Sequence, residues 1–265
     1  MIRMSQPKPY DRSTLPQGLE HWTQNDWEAK ARENPFFAIQ AEIDWMDAPA
    51  GEFVPGQVEA LFARGAVLYR KHIAGLLAGL DDPFVVEYGC GAGRILKALV
   101  DAGYRCGGVD IAPTMIDHCR RLVPEALSFA LSEPMPDACA NVVFSHAVLQ
   151  HNSTLTAYAA AVAEMCRLLK PGGLLAAHVA CEDFNVGEGE APGRTENFET
   201  RSLHYRSGQS APYREHRQTT WGGVYIGRET LAELLAREGV DIEAWRPHGG
   251  AKPRAVWAIG RKRSG

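Results

Sequence analysis

The chain has 265 residues, 45% of them apolar and 23% charged, with a formal net charge of −4. That length suits one large α/β domain with a full core rather than two independent domains. The acidic balance, with a pI of about 6.1, argues against a dedicated nucleic-acid binder, which shows a basic face. No apolar run approaches the ~18 residues that cross a bilayer, and the N-terminus lacks an apolar core of signal-peptide length. The expectation is therefore a cytoplasmic protein with no membrane partner.

Residues 1–18 are rich in Pro, Ser and Gln and read as a flexible arm. A helical cap follows over 19–80. Trp22, Trp27 and Ala31 are the apolar points of a first helix, and Phe36, Phe37, Ile39 and Ile43 of a second. Val58, Leu61, Phe62, Val67, Leu68, Ile73, Leu76 and Leu77 mark a long third helix, because they recur at spacings of three and four. From 81 onward strand and helix alternate. Strands are predicted at 84–88, 106–111, 126–131, 141–146 and 174–180, with helices at 92–102, from Pro113, and at 155–169. Lys170-Pro171-Gly172-Gly173 reads as a turn before the fifth strand.

The rhythm breaks at Cys181. Residues 182–226 are polar and Gly-rich yet hold Phe184, Phe198, Tyr205 and Tyr213, more aromatics than a disordered segment carries. They predict an ordered insertion beside the ligand. A helix at 228–238 and strands at 242–245 and 255–259 complete the chain. The expected fold is α/β, doubly wound, with seven mostly parallel strands, N-terminal helices, and an insertion before the last strands. The six cysteines (90, 106, 119, 139, 166 and 181) show no zinc spacing and read as reduced, packed thiols.

One stretch carries the chemistry. Phe84-Val85-Val86-Glu87 is an apolar strand ending in an acid, and Gly89, Gly91 and Gly93 follow at alternate positions before a helical pattern. Glycines there let the backbone approach a ligand beside a helix N-terminus. An acid ahead of the first glycine would repel a pyrophosphate but suits an ammonium group. Asp110, about 20 residues on at the end of the second strand, stands where ribose hydroxyls are read. Together they predict a nucleoside with a cationic amino-acid tail.

With these residues the chain resembles the class I S-adenosylmethionine-dependent methyltransferases of small-molecule type, over about 84–180. Glu87-Tyr88-Gly89-Cys90-Gly91-Ala92-Gly93 matches that family's acid-x-Gly-x-Gly-x-Gly motif, and Gly108-Val109-Asp110-Ile111 its second, acidic motif. Asn141–His146 resembles its fourth strand, and Leu168-Leu169-Lys170-Pro171-Gly172-Gly173 the turn before the fifth. The resemblance implies a Rossmann-like fold and S-adenosyl-L-methionine as cofactor. It further implies that Glu87, Gly89, Cys90, Gly91 and Gly93 hold the methionine end, that Asp110 holds the ribose, and that Ile111 and Met115 pack on the adenine. The family often has an acid after the third strand for the adenine amino group. The matching Phe129-Ala130-Leu131-Ser132 lacks one, so Leu131 and Ser132 are the expected contacts.

Methyl transfer to an alcohol needs a proton acceptor. His146 and His151 follow the fourth strand, where cofactor and acceptor should meet, and imidazole titrates near working pH. His151 is the preferred base and His146 a cofactor-side wall and second candidate. Tyr88, Trp22, Phe36, Tyr205 and Tyr213 are the candidate acceptor contacts, and no acidic cluster suggests a metal. The expectation is an O-methyltransferase of a sugar or natural-product hydroxyl, monomeric or homodimeric. The alternatives are N-methylation of a small amine, or a non-catalytic cofactor binder.

Overall fold

The computed structural model describes residues 27–29, 31–32, 55–133, 135–152, 155–180, 226–248 and 255–264. Trp22, Phe36, Tyr205, Tyr213 and Cys181, and all of 182–225, lie outside the described residues. The described residues fall into two compact units that divide after Val142.

After helical residues at 27–29 and 31–32, the first unit carries helix α1, Pro55–Leu68. It runs through a π-helical turn at Tyr69–Ile73 into α2, Ala74–Leu77. The expected single long helix is thus present but interrupted. The reason lies in which residues must face inward. Leu61 and Gly65 are buried, and a regular helix would next bring His72 to the core. The wider turn adds a residue, so that Ile73, Leu76 and Leu77 are buried instead. Gly65 is needed for packing: a Cβ there would lie 1.9 Å from the Arg94 carbonyl oxygen, so backbone meets backbone.

Strands β1 (Phe84–Tyr88), β2 (Arg105–Asp110) and β3 (Leu127–Ala130) pair in parallel, with Glu87 opposite Gly108 and Asp110 opposite Ala130. Helices α3 (Arg94–Asp101) and α4 (Pro113–Leu122) connect them. The burial patterns of β1 and β2 are nearly continuous, as parallel strands covered on both faces require.

Beyond β4 (Ala140–Ser145) the second unit carries a 3₁₀ turn at Leu149–His151, α5 (Leu155–Leu168), β5 (Leu169–Ala180), α6 (Arg228–Arg237), β6 (Val240–His248) and β7 (Ala255–Lys262). The seven strands run in the order β3-β2-β1-β4-β5-β7-β6, and β7 is antiparallel to both of its neighbours. β5 starts earlier than expected. The Lys170–Gly173 stretch lies inside it, with Gly172 at a φ of 76°, and pairing with β7 begins only at Leu174.

A bulge in β6 sets the face of the sheet on which His248 lies. Ile242 pairs with Gly260 but Ala244 with Ile259, so Glu243 is an extra residue. From there His248 pairs with Ala255. Without the bulge Pro247 would take that position, and His248 would point to the opposite face of the sheet. The close approach needs Gly260, where a Cβ would fall 2.6 Å from the Asp241 carbonyl oxygen.

Candidate active site

The glycine turn is held in place by β2. The Gly89 and Cys90 N–H groups both donate to the Val109 carbonyl, at 2.7 and 3.1 Å. Gly89, Gly91 and Gly93 have φ of 77°, 53° and 85°, a region that side chains rarely enter. Gly93 also has no room for one, since a Cβ would sit 2.9 Å from Cys119 Sγ and Val123 Cγ2. Cys90 Sγ donates to the Gly91 carbonyl at 3.6 Å, and its interaction with Cys119 raises the first thiol and lowers the second. Cys106 and Cys166 are pushed up to about 12, with burial as the main cause. These four are packed thiols, as the sequence implied; Cys139 is half-buried and, like them, outside any disulfide among the described residues.

Asp110 ties the turn to α4. Its Oδ2 accepts from Gly91 N at 2.9 Å and its Oδ1 from Ala112 N at 3.0 Å. Burial raises its pKa, opposed by the N–H groups of Ala112, Gly91 and Ile111. Each carboxylate oxygen still has acceptor capacity beyond one N–H, and Asp110 is half-buried rather than sealed. It therefore fits a diol. Glu87 is 4% exposed. Burial pushes its carboxyl well above the usual range, and the Arg94 guanidinium opposes that push. Its Oε2 is buried without a hydrogen-bond partner among the described residues. An orphaned acceptor of this kind costs about 1–3 kcal/mol, which a cationic or N–H-bearing ligand would offset. The two acids fit a nucleoside with an ammonium tail.

The remaining cofactor-side residues are more varied. Ile111 and Leu131 are half-buried and Ser132 is exposed. The Leu131 N–H donates to the Asp110 carbonyl at 2.9 Å. The acid nearest the end of β3 is Glu133. It folds back onto Ala130 N and Arg120, so it is engaged structurally. Met115 is buried with Ala112 against Ala31 and Trp27. This contact comes from the helical residues at 27–29 and 31–32, which nothing in the sequence connected to the site. Glu28 accepts from Thr114 N at 3.0 Å and from Thr114 Oγ1. It thereby supplies α4 with the side-chain cap that Ala112, the N-cap residue, lacks. Burial alone would raise Glu28; the hydrogen bonds from Thr114 and Arg32 outweigh it and hold the carboxyl below its usual value.

The second unit gathers three imidazoles. His146 follows β4, His178 lies near the end of β5, and His248 ends β6. One ring nitrogen from each falls within 4.8 Å of the others. Trp257 completes the group, since it pairs directly with His178 across β5 and β7. The His146 ring lies 4.9 Å from His178, 5.9 Å from His248 and 5.7 Å from Trp257, stacked on the indole at 28°. His178 and His248 meet edge to face at 4.5 Å. Ala147 has a φ of 58°, strained for a residue with a side chain, and this aims its N–H at His178 Nδ1, 3.3 Å away. Trp257 Nε1 donates to His248 Nδ1, also at 3.3 Å.

Of the two expected histidines, the structure brings His146 into this group. His151 sits instead in the 3₁₀ turn, its N–H donating to the Val148 carbonyl at 2.9 Å. Tyr88 is 7% exposed at the end of β1, paired with Val109. His178, His248 and Trp257 were not among the expected site residues. One signal was available: His178 interrupts the apolar run Leu174–Ala180, and a buried histidine in such a strand calls for a partner.

Residues 86–177 match the methyltransferase domain family. The chain carries a class I S-adenosylmethionine-dependent methyltransferase domain. The strand order, with β7 antiparallel, is that of this fold. Over 95 residues the chain is 34% identical to a malonyl-[acyl-carrier protein] O-methyltransferase of Serratia marcescens, covering 34% of this chain and 36% of that protein. It is 33% identical over 104 residues to a tRNA (carboxymethyluridine(34)-5-O)-methyltransferase of Macaca fascicularis, covering 38% of this chain and 15% of that protein. The chain thus spans about a third or less of the curated relatives it matches. Among solved structures, it resembles a Burkholderia thailandensis 1,6-didemethyltoxoflavin-N1-methyltransferase with bound S-adenosylhomocysteine. There the TM-score is 0.55 at 16% identity, over 98% of this chain and 93% of that one. It also resembles the magnesium protoporphyrin IX methyltransferase of Synechocystis, at TM-score 0.57 and 15% identity over 89% and 97%. These likenesses establish the fold of the methyltransferase domain. No helix among the described residues is long and apolar enough to cross a membrane.

Proposed function

We propose that the chain is an S-adenosylmethionine-dependent methyltransferase acting on the hydroxyl of a small molecule. The observation that carries this reading is the imidazole group at the ends of β4, β5 and β6, the side of an open α/β sheet where ligands bind. When bound, S-adenosylmethionine supplies a sulfonium methyl group, and its transfer to a hydroxyl leaves S-adenosylhomocysteine and one proton. Glu87 holds the ammonium end and Asp110 the ribose hydroxyls. His146 accepts the hydroxyl proton. Its protonated form is favoured by the Trp257 ring face at 5.7 Å, within cation–π range. His146 takes precedence over His151 as base, because only His146 belongs to the ring group.

The relatives favour oxygen over nitrogen: both curated relatives are named as O-methyltransferases, while one structural neighbour is an N-methyltransferase. N-methylation of a small amine is the second reading, and it needs no strong base. Labelled S-adenosylmethionine offered with matched panels of hydroxyl and amine acceptors separates the two. Label in hydroxyl products, lost in His146→Ala, supports O-methylation. Label in amines alone, indifferent to His146, supports N-methylation. Tight S-adenosylhomocysteine binding with no transfer to either panel would mean that the chain binds the cofactor without catalysis.

A further inference from the structure

Three imidazoles with nitrogens within 4.8 Å invite a metal, but the hydrogen bonds around them have the opposite polarity. A histidine that ligates a metal uses one nitrogen lone pair and donates the other N–H outward to a carbonyl or carboxylate. Here one nitrogen of each of two rings accepts instead. His178 Nδ1 receives the Ala147 N–H, and His248 Nδ1 receives the Trp257 Nε1–H. An N–H can meet only an unprotonated ring nitrogen, so each ring is neutral and carries its single proton on Nε2. Neither ring can offer an Nε2 lone pair, and neither can become an imidazolium without expelling its donor.

The fold enforces this state twice. Ala147 is held at a φ of 58° to deliver one donor. The β6 bulge at Glu243 turns His248 onto the face that Trp257 occupies and so delivers the other. His146 is placed differently: its ring stacks on the Trp257 indole.

We propose that His178 and His248 form a pair of neutral Nε2–H donors that receives an oxygen function of the acceptor, a carboxylate or carbonyl carried beside the hydroxyl that is methylated. Hydroxy acids are the matched class, since they carry a carboxylate for the donor pair beside a hydroxyl for His146. This rests on the reading of the imidazole group as the acceptor end of the enzyme.

The test uses the full chain saturated with S-adenosylhomocysteine, with histidine side chains labelled in nitrogen-15. The spectrum at pH 7 should show His178 and His248 as neutral Nε2–H tautomers. Sodium benzoate should shift both signals. His248→Phe should weaken benzoate binding by roughly tenfold or more, the loss of one hydrogen bond to a charged group, and His248→Gln, which keeps an N–H, should recover most of it. Trp257→Phe keeps a ring but removes the donor, and should release His248 into a mixture of tautomers. Zinc chloride should leave the histidine signals in place. Zinc binding that depends on the three histidines overturns the proposal, as do Nδ1–H tautomers or benzoate that leaves the signals unmoved. These readouts do not use methyl transfer. Transfer to hydroxyls without benzoate binding sinks the donor pair alone, and benzoate binding without transfer sinks the hydroxyl reading alone.

Discussion

The two units build their functional residues in different ways. In the first, Glu87, the glycine turn and Asp110 lie within about two dozen residues of sequence, and two adjacent parallel strands suffice to assemble them. In the second, His146, His178, His248 and Trp257 are spread over more than a hundred residues and meet only through three strand ends and a bulge. A site that recognises one fixed cofactor can be compact and local. A site for a variable acceptor is assembled from strand ends and loops, where single residues can change without disturbing the sheet.

Substitutions can pull the two apart. The largest effect is expected from His146→Ala, which should lower kcat on hydroxyl acceptors by about 10²–10⁴, the usual worth of a positioned base. His151→Ala should cost clearly less; equal losses would return His151 to the role of base. Asp110→Ala removes a carboxylate that holds two backbone N–H groups and is proposed to hold two ribose hydroxyls. Cofactor affinity should fall by about a hundredfold, at roughly 1.5–3 kcal/mol for each hydrogen bond to a charged group. His248→Ala tests the assembled half alone. It removes one ring of the group and leaves the sheet register in place, so turnover should drop while S-adenosylhomocysteine affinity stays near wild type.

Protonation distinguishes the halves as well. The Glu87 carboxyl titrates well above its unfolded value because it is buried. The folded chain therefore binds more protons than the unfolded chain between those two pKa values. Stability without cofactor should be greatest below about pH 4.5 as far as this group is concerned, and should fall as pH rises through the folded pKa. Urea midpoints across pH should show this slope in the wild type and a shallower one in Glu87→Gln; an unchanged slope would assign it to other groups. The smallest effect is expected from Ala147→Gly. It relieves a left-handed backbone at the cost of a freer unfolded chain, and should stabilise by no more than about 1 kcal/mol.

What the sequence made legible divides in the same way. The acid-and-glycine stretch and Asp110 could be read directly, because strand, turn and helix are set by neighbouring residues. The doubly wound, mostly parallel sheet followed from the alternation of elements. The imidazole group was only half visible. His146 sits where a fourth strand ends, but His178 and His248 gain meaning only once the β5–β7–β6 register is known. That register depends on one inserted residue, which no periodicity announces. The π-helical turn at Tyr69–Ile73 was hidden for a similar reason: the apolar spacing of 58–80 reads as helix with or without one extra residue. Trp27 and Glu28 lay in a recognised helix, yet nothing local pointed to Thr114, 86 positions away.

The division of labour is tested most directly by titrating S-adenosylhomocysteine calorimetrically into the wild type, Asp110→Ala and His146→Ala. Saturable one-to-one binding by the wild type is expected, with affinity about a hundredfold weaker in Asp110→Ala and within about threefold of wild type in His146→Ala. No binding by the wild type, or equal weakening in both variants, would contradict it.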